Sequence, residues 1–295
     1  MFDVCVIGGS SIDIVEFLEE TGKNEYYFGG KGANQAIASA RAGGKVCIIT
    51  KVGDDKYGEE IIKNLKDNNV TTYAETVPNC KSDYAKIVID KYGNNSITRN
   101  MNAINSFTIQ DIDKHFEIIK NSKYVLIQLK MPFEVTKYII NVCNNLNKKT
   151  ILTACPPSKI STKNAENREV LSKISYICAN EYESQIVFGT ESAYDSVKIA
   201  KNKLIATLGE KGLIYFNAGN IEHVPAIEVL NVVDTTGAGD TFCGNLATNL
   251  AHNLPLEDAL VRSQYASAYK IQFKSAQKGM PTKVELDNYI NSLNT

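Results

Sequence analysis

From Ile109 onward the chain switches regularly between two hydrophobic periodicities, and no other feature restricts its fold as much. Ile109–Lys120 has the apolar spacing of a helix, Tyr124–Leu129 is a short apolar run with the length of a strand, and Phe133–Asn147 is helical again. Thr150–Thr153 and Ile174–Cys178 then read as further strands, with a polar loop from Pro156 to Arg168 between them. Strands separated by helices lie parallel, because the helix carries the chain back across the sheet. Val4–Ile7 and Val46–Val52 also read as buried strands and Tyr57–Asn69 as an amphipathic helix, while Lys203–Thr207, Leu213–Phe216, and helices over Leu256–Ile271 and Lys283–Leu293 complete the pattern. One segment departs from it. Tyr84–Asp90 alternates apolar and polar, turns at Tyr92-Gly93-Asn94-Asn95 and returns over Ser96–Arg99, which predicts a hairpin with one wet face. At 295 residues the chain suits one large α/β domain or two ordinary ones. Parallel sheets hold their ligands beyond the carboxyl ends of the strands, so the polar motifs at those ends are the ones to examine.

The most informative of them is Val233–Gly244, Val-Asp-Thr-Thr-Gly-Ala-Gly-Asp-Thr-Phe-Cys-Gly. Apolar residues at Phe242, Leu246 and Leu250 make the following segment a helix, and Gly237 and Gly239 let the backbone turn into it. The N–H groups of a first helical turn have no intrahelical acceptor, and the helix dipole is positive there, so such a turn binds anions. Asp240 within it is placed to take a proton from a hydroxyl attacking a phosphoryl group held by that turn. An aspartate near a helix start also suits plain capping, and the stretch alone leaves both open. Phe242 stands where a dinucleotide fingerprint needs its third glycine, and no Gly-Lys-Ser/Thr occurs, so neither nucleotide motif applies.

Other strand ends carry polar groups too. Val4–Ile7 runs into Gly-Gly-Ser-Ser-Ile-Asp, where Asp13 can accept two hydroxyl hydrogen bonds of a polyol or simply stabilise a turn. Phe28-Gly29-Gly30-Lys31-Gly32-Ala33-Asn34-Gln35 has three glycines in four positions, which implies close approach of the main chain, and Asn34 offers a donor and an acceptor. Asn180-Glu181-Tyr182-Glu183 has the spacing to hold a hydrated magnesium ion, and equally the spacing of a helix cap. Leu208-Gly209-Glu210-Lys211-Gly212 suits a nucleotide floor or a tight turn. The 32 basic and 33 acidic residues are interspersed, which argues against nucleic acid or an anionic membrane as partner. No apolar run is long enough to span a bilayer, and the N-terminus lacks the features of a signal peptide, so a cytoplasmic location is expected. The seven cysteines have no paired spacing and read as reduced core thiols.

Taken together, the Phe28–Gln35, Asn180–Glu183, Thr207–Gly212 and Asp234–Asp240 motifs resemble the ribokinase-like family of carbohydrate kinases, related to the minor bacterial phosphofructokinase, and most of all its ribokinase branch. The resemblance spans nearly the whole chain. It implies a single three-layer α/β/α domain with a mainly parallel central sheet and a small β lid built from segments about 13–29 and 84–103. The implied activity is transfer of the γ-phosphoryl of ATP to a sugar hydroxymethyl, most of all that of D-ribose. By similarity Asp240 is the base and Gly237, Ala238, Gly239 and Asp240 supply the anion hole. Ser11, Asp13, Gly30, Lys31, Gly32, Asn34 and Lys130 belong to the sugar side. Asn180, Thr207, Leu208, Gly209, Glu210, Lys211, Gly212, Gly239 and Gln264 belong to the nucleotide side, and Asn180 and Glu183 hold Mg2+ through water. Asp234 and Thr236 match a potassium site completed by main-chain groups near Lys270, Phe273, Ser275 and Gly279. Two positions depart from ribokinases: Ser11 stands in place of Asn, and Lys130 in place of a Glu. Lys130 either faces the pocket, where it would suit an anionic substrate, or points outward. The Asp13–Gly29 connection reads as too short for full lid strands, which counts against a homodimer formed through the lid. The competing readings are a nucleoside or sugar-phosphate kinase of the same family, and a binding regulator without catalysis.

Overall fold

A computed structural model describes residues 1–17, 24–89 and 95–293. Among the described residues, thirteen strands form two sheets: β1 (Phe2–Ile7), β2 (Ser11–Phe17), β3 (Asn24–Gly29), β4 (Val46–Gly53), β5 (Thr71–Val77), β6 (Tyr84–Ile89), β7 (Asn95–Asn100), β8 (Ser122–Gln128), β9 (Lys149–Thr153), β10 (Tyr176–Asn180), β11 (Leu204–Thr207), β12 (Leu213–Asn217) and β13 (Asn220–Val224). The main sheet has nine strands in the order β13-β12-β11-β10-β9-β8-β1-β4-β5, parallel from β5 to β11 and antiparallel at β12 and β13. Alternation along its central strands divides the core in two. Cys5, Ile7, Ile49, Val125 and Ile127 face helices that include Phe133–Asn145 and Ala193–Ala200. Val4, Val6, Ile48 and Leu126 face the opposite layer, where helices Lys31–Arg41, Lys56–Asp67, Ala238–Ala251 and Leu256–Lys270 pack. Three layers follow from a two-residue period buried on both sides.

The second sheet has the order β3-β2-β6-β7, with β2 and β6 parallel and both outer pairs antiparallel. Here the sequence reading needs correction. The Asp13–Gly29 connection is long enough for paired strands, since β2 and β3 run in register from Ser11↔Gly29 to Glu16↔Asn24. Polar residues such as Glu16 and Glu25, on a sheet that buries little, hid their period. Of the turn expected at Tyr92–Asn95, residues 92–94 lie outside those described and Asn95 already belongs to β7, but β6 and β7 pair as expected. The helix read over Ile109–Lys120 is two, Ile109–Lys114 and Phe116–Lys120, separated at His115. The polar loop from Pro156 to Arg168 contains a helix start, because Asn164 caps Ala165–Ser172 by accepting from the Glu166 and Asn167 N–H groups. Among the described residues no helix is long and apolar enough to cross a membrane. All seven cysteines are unbridged, and Cys5, Cys47, Cys143, Cys178 and Cys243 are buried.

Candidate active site

Two helices of one layer bring the motifs together. Helix Ala238–Ala251 begins at Gly237, whose φ of 83° is left-handed, and a Cβ there would lie 2.5 Å from the Ala276 carbonyl oxygen. Asp240 occupies the third position of this helix and is buried. The Asn34 amide donates to its Oδ2 at 2.9 Å and the Gln35 amide to its Oδ1 at 3.0 Å, both from helix Lys31–Arg41. Each amide is itself fixed. Gln277 donates to Asn34 Oδ1 at 3.0 Å and Asn64 to Gln277 Oε1 at 2.9 Å, while Gln128 donates to Gln35 Oε1 at 2.7 Å. The Lys31 ammonium stands 3.9 Å from Asp240, and that carboxylate raises the lysine's pKa. Both Asp240 oxygens are therefore aimed by donors, which is orientation beyond ordinary helix capping.

The anion turn is narrower than the sequence suggested. The Ala238 N–H donates to the Thr235 carbonyl at 3.1 Å and the Thr241 N–H to that of Gly237 at 2.8 Å. The N–H groups of Gly237, Gly239 and Asp240 have no acceptor among the described residues and remain for an anion.

Asp240 and Gly237 border a cavity of about 350 Å³ that Gly30, Lys31, Asn34, Ser11 and Asp13 also line. Lys130 lines it as well. Gly32 does not: it packs on the end of β1, where a Cβ would come within 2.6 Å of the Gly8 carbonyl carbon. The four-stranded sheet supplies the facing wall through Tyr84, Ala85, Ile87, Ile97 and Arg99. Burial pushes the Asp13 carboxyl up to about 6, against the opposing charge of Arg99. Burial also pushes Asp83 up to about 6, against the Ile104 and Ala103 N–H groups that it accepts at 3.1 and 2.9 Å and against Lys130. Asp83, Arg99, Gln35, Gln128 and Gln277 were not singled out in the sequence. Gln35 and Gln128 stand inside quoted motifs, but only the fold shows what they touch.

A second hollow of about 470 Å³ is lined by Asn180, Glu181, Tyr182, Gln185, Thr207, Leu208 and Gly209. Of the nucleotide-side residues, Glu210, Lys211, Gly212, Gly239 and Gln264 are not among its lining. Gln264 instead donates to the carbonyls of Val224 and Pro225, both at 3.1 Å, and so anchors the end of β13. Asn180 and Glu183 form a reciprocal cap: Asn180 Oδ1 accepts from the Glu183 N–H at 2.8 Å and Glu183 Oε2 from the Asn180 N–H at 2.9 Å. The Glu183 charge also reaches Lys31 and Cys155. No group of three or more His, Cys, Asp or Glu side chains that could cage a metal exists among the described residues. A hydrated ion held by phosphates and outer-shell carboxylates fits this arrangement, and a bare ion does not.

The residues matched to a potassium site do meet. Asp234 accepts from the Thr236 N–H through Oδ1 and the Ser275 N–H through Oδ2, both at 2.8 Å. Lys270 contributes differently than expected: its side chain is fully buried and its ammonium donates to the Asp234 carbonyl at 2.8 Å and the Phe273 carbonyl at 3.3 Å. Gly279 takes a φ of 78° beneath the Phe273 ring, which a Cβ would strike.

The model of the pfkB family of carbohydrate kinases matches residues 1–283. The ribokinase of Bacillus subtilis is 33% identical over 301 residues, covering 99% of this chain and all of the relative. The deoxyribokinase of Salmonella typhi is 30% identical over 308 residues, covering 98% and 99%. The crystal structure of Thermotoga maritima ribokinase superposes with a TM-score of 0.85 at 28% identity, covering 99% of this chain and all of the other. The chain belongs to the pfkB family of carbohydrate kinases. It is accordingly a phosphotransferase that acts on an alcohol group.

Proposed function

We propose that the chain transfers the γ-phosphoryl group of ATP to the hydroxymethyl of D-ribose. The observation that carries this reading is the Asp240 carboxylate, aimed by Asn34 and Gln35 at a sugar-sized cavity and set beside the unpaired N–H groups of Gly239 and Asp240. A sugar hydroxyl next to Asp240 gives up its proton to that carboxylate as the oxygen attacks phosphorus. The two N–H groups at the helix start offset the charge on the transferring phosphoryl oxygens. Phosphoryl transfer needs positioning and charge stabilisation more than covalent help, which these groups supply. The hollow of Asn180, Thr207 and Gly209 suits the nucleotide. Magnesium, held through water near Asn180 and Glu183, supplies charge neutralisation on the phosphates when bound.

Charge in the cavity favours a neutral sugar over a sugar phosphate. Asp13, Asp83 and Asp240 are matched in number by Lys31, Arg99 and Lys130, and the Lys130 charge acts on Asp83. A volume of about 350 Å³ lies at the small end of the ligand-pocket range, which favours a pentose over a nucleoside. The four-stranded sheet acts as the lid. ADP release with magnesium-ATP tests the reading over D-ribose, 2-deoxy-D-ribose, other pentoses, hexoses, nucleosides and ribose 5-phosphate. Highest kcat/KM with D-ribose is expected. Turnover confined to 2-deoxy-D-ribose, a nucleoside or the phosphorylated sugar would move the substrate and leave the Asp240 chemistry in place.

A further inference from the structure

Lys270 has the largest side chain among the fully buried ones, and the mechanism above makes no use of it. A buried ammonium survives only with acceptors around it. Those it has are the main-chain carbonyls of Asp234 and Phe273; burial lowers its pKa, and the Asp234 carboxylate opposes that by favouring its charge. These two carbonyls lie on the two loops that flank the anion turn. Asp234 stands three residues before Gly237, and Gly237 packs directly on Ala276 of the other loop. The end of the Leu256–Lys270 helix adds two ties, since the Ile271 carbonyl accepts from the Val233 and Asp234 N–H groups at 2.8 and 3.1 Å.

The potassium ion expected at this loop pair does not fit. Two of the oxygens it would need already accept from an ammonium, and a metal ion placed among them would meet a like charge at contact range. An ammonium is a compact point charge with three donors, so on a tether it can bridge carbonyls as a monovalent ion does. We propose that the Lys270 ammonium is the resident cation of this site, bridging the Asp234 and Phe273 carbonyls and setting the anion turn without a monovalent metal. Lys270 is thus a positioning residue: it acts on phosphoryl transfer through the Gly237 turn and does not touch the reactants. The proposal rests on the kinase reading for its effect on turnover, but not for the cation occupancy itself.

The test compares KCl with tetramethylammonium chloride at one ionic strength, about 0.1 M, so that screening is equal in both. Wild-type ADP release and thermal midpoint are expected to agree between the salts, turnover to within about twofold. Lys270→Ala opens the site: its turnover should drop about tenfold or more in tetramethylammonium, given what fixed transition-state donors contribute, and recover in KCl. Its thermal midpoint should rise in KCl relative to tetramethylammonium. Lys270→Met fills the space without the charge and should stay slow in both salts. Several-fold activation of the wild type by potassium, or a Lys270→Ala enzyme active without potassium, overturns the proposal. Should Lys270→Ala not fold, the wild-type comparison still decides. If no sugar is turned over, the kinase reading fails, and the midpoints in the two salts still report on Lys270.

Discussion

Gly244 lies four residues beyond Asp240 on the same helix and touches no part of the cavity, yet replacing it should disable the site. Helix propensity alone favours Gly244→Ala, by up to about 1 kcal/mol. Packing opposes it. The new Cβ would lie 2.6 Å from the Ala38 Cβ, 2.7 Å from the Gln35 carbonyl oxygen and 2.8 Å from the Ser39 nitrogen, all on helix Lys31–Arg41. Carbon contacts relax at about 3.5–4.0 Å, so the two helices must separate by about 1 Å. Overpacking of that size costs about 1–3 kcal/mol, which exceeds the propensity gain. The functional loss should be larger. Asn34 and Gln35 ride on the displaced helix, and moving their bonds to Asp240 from 2.9 and 3.0 Å by that amount takes both out of hydrogen-bonding range. A misplacement of about 1 Å commonly costs about 10²-fold in turnover. Thermal unfolding and ADP-release kinetics on the same preparation measure both effects. Unchanged turnover with an equal or higher midpoint would show that the close approach at Gly244 does not position Asp240.

Other expectations follow from the charges. Asp13 and Asp83 have folded pKa values of about 6, above the ordinary carboxylate value, so the fold binds protons before the unfolded chain does. Lowering the pH from 7 to 5 should therefore hold or raise the thermal midpoint while kcat/KM falls, by about tenfold per pH unit below 6, as Asp13 loses the charge that accepts sugar hydroxyls. Asp13→Asn should be slow with a flat profile over that range, and a wild-type profile flat to pH 5 would contradict the assignment. On the far face, Lys51 meets Asp111 at 2.8 Å with both side chains nearly buried. Burial alone would raise the Asp111 pKa, but hydrogen bonds from Lys51 and Thr108 hold it well below the carboxylate range. Its contribution is thus present at neutral pH and is lost only as pH falls through that low value. Asp111→Asn should cost about 3 kcal/mol by removing the nearest charge from the nearly buried ammonium, which keeps Glu75 at 3.7 Å and the Ser106 carbonyl at 3.2 Å. That is a fall of roughly 6–12 °C in the midpoint at about 2–4 °C per kcal/mol, with turnover unchanged.

The sheet and its helices were legible because alternation and helical spacing are local properties. Val4–Ile7 and Tyr124–Leu129 could hardly be other than buried strands. The glycine motifs were legible too, since they announce backbone approach wherever they fall. What the sequence could not show was contact over distance. Asn34 and Asp240 are 206 positions apart, and Gln277 is 243 from Asn34, so nothing in either segment marks those amides as partners. Asp83 and Arg99 were missed because each lies on a strand of the four-stranded sheet or beside one, where it reads as an ordinary surface charge. Lys270 was read only through its neighbouring main chain. Its side chain is buried and its ammonium meets the Asp234 and Phe273 carbonyls, contacts that no local pattern announces.

The central claim is that Asp240 takes the proton of the attacking hydroxyl. ADP release and ribose binding should be measured on wild type and Asp240→Asn under the same conditions. A carboxamide offers one acceptor to the two donors Asn34 and Gln35, so a stability loss of about 1–3 kcal/mol is expected and must be checked by unfolding. With the variant folded and still binding D-ribose, the account expects turnover to fall by about 10²–10⁴-fold. Turnover within about threefold of wild type would remove Asp240 from the proton transfer and with it the mechanism built on this site.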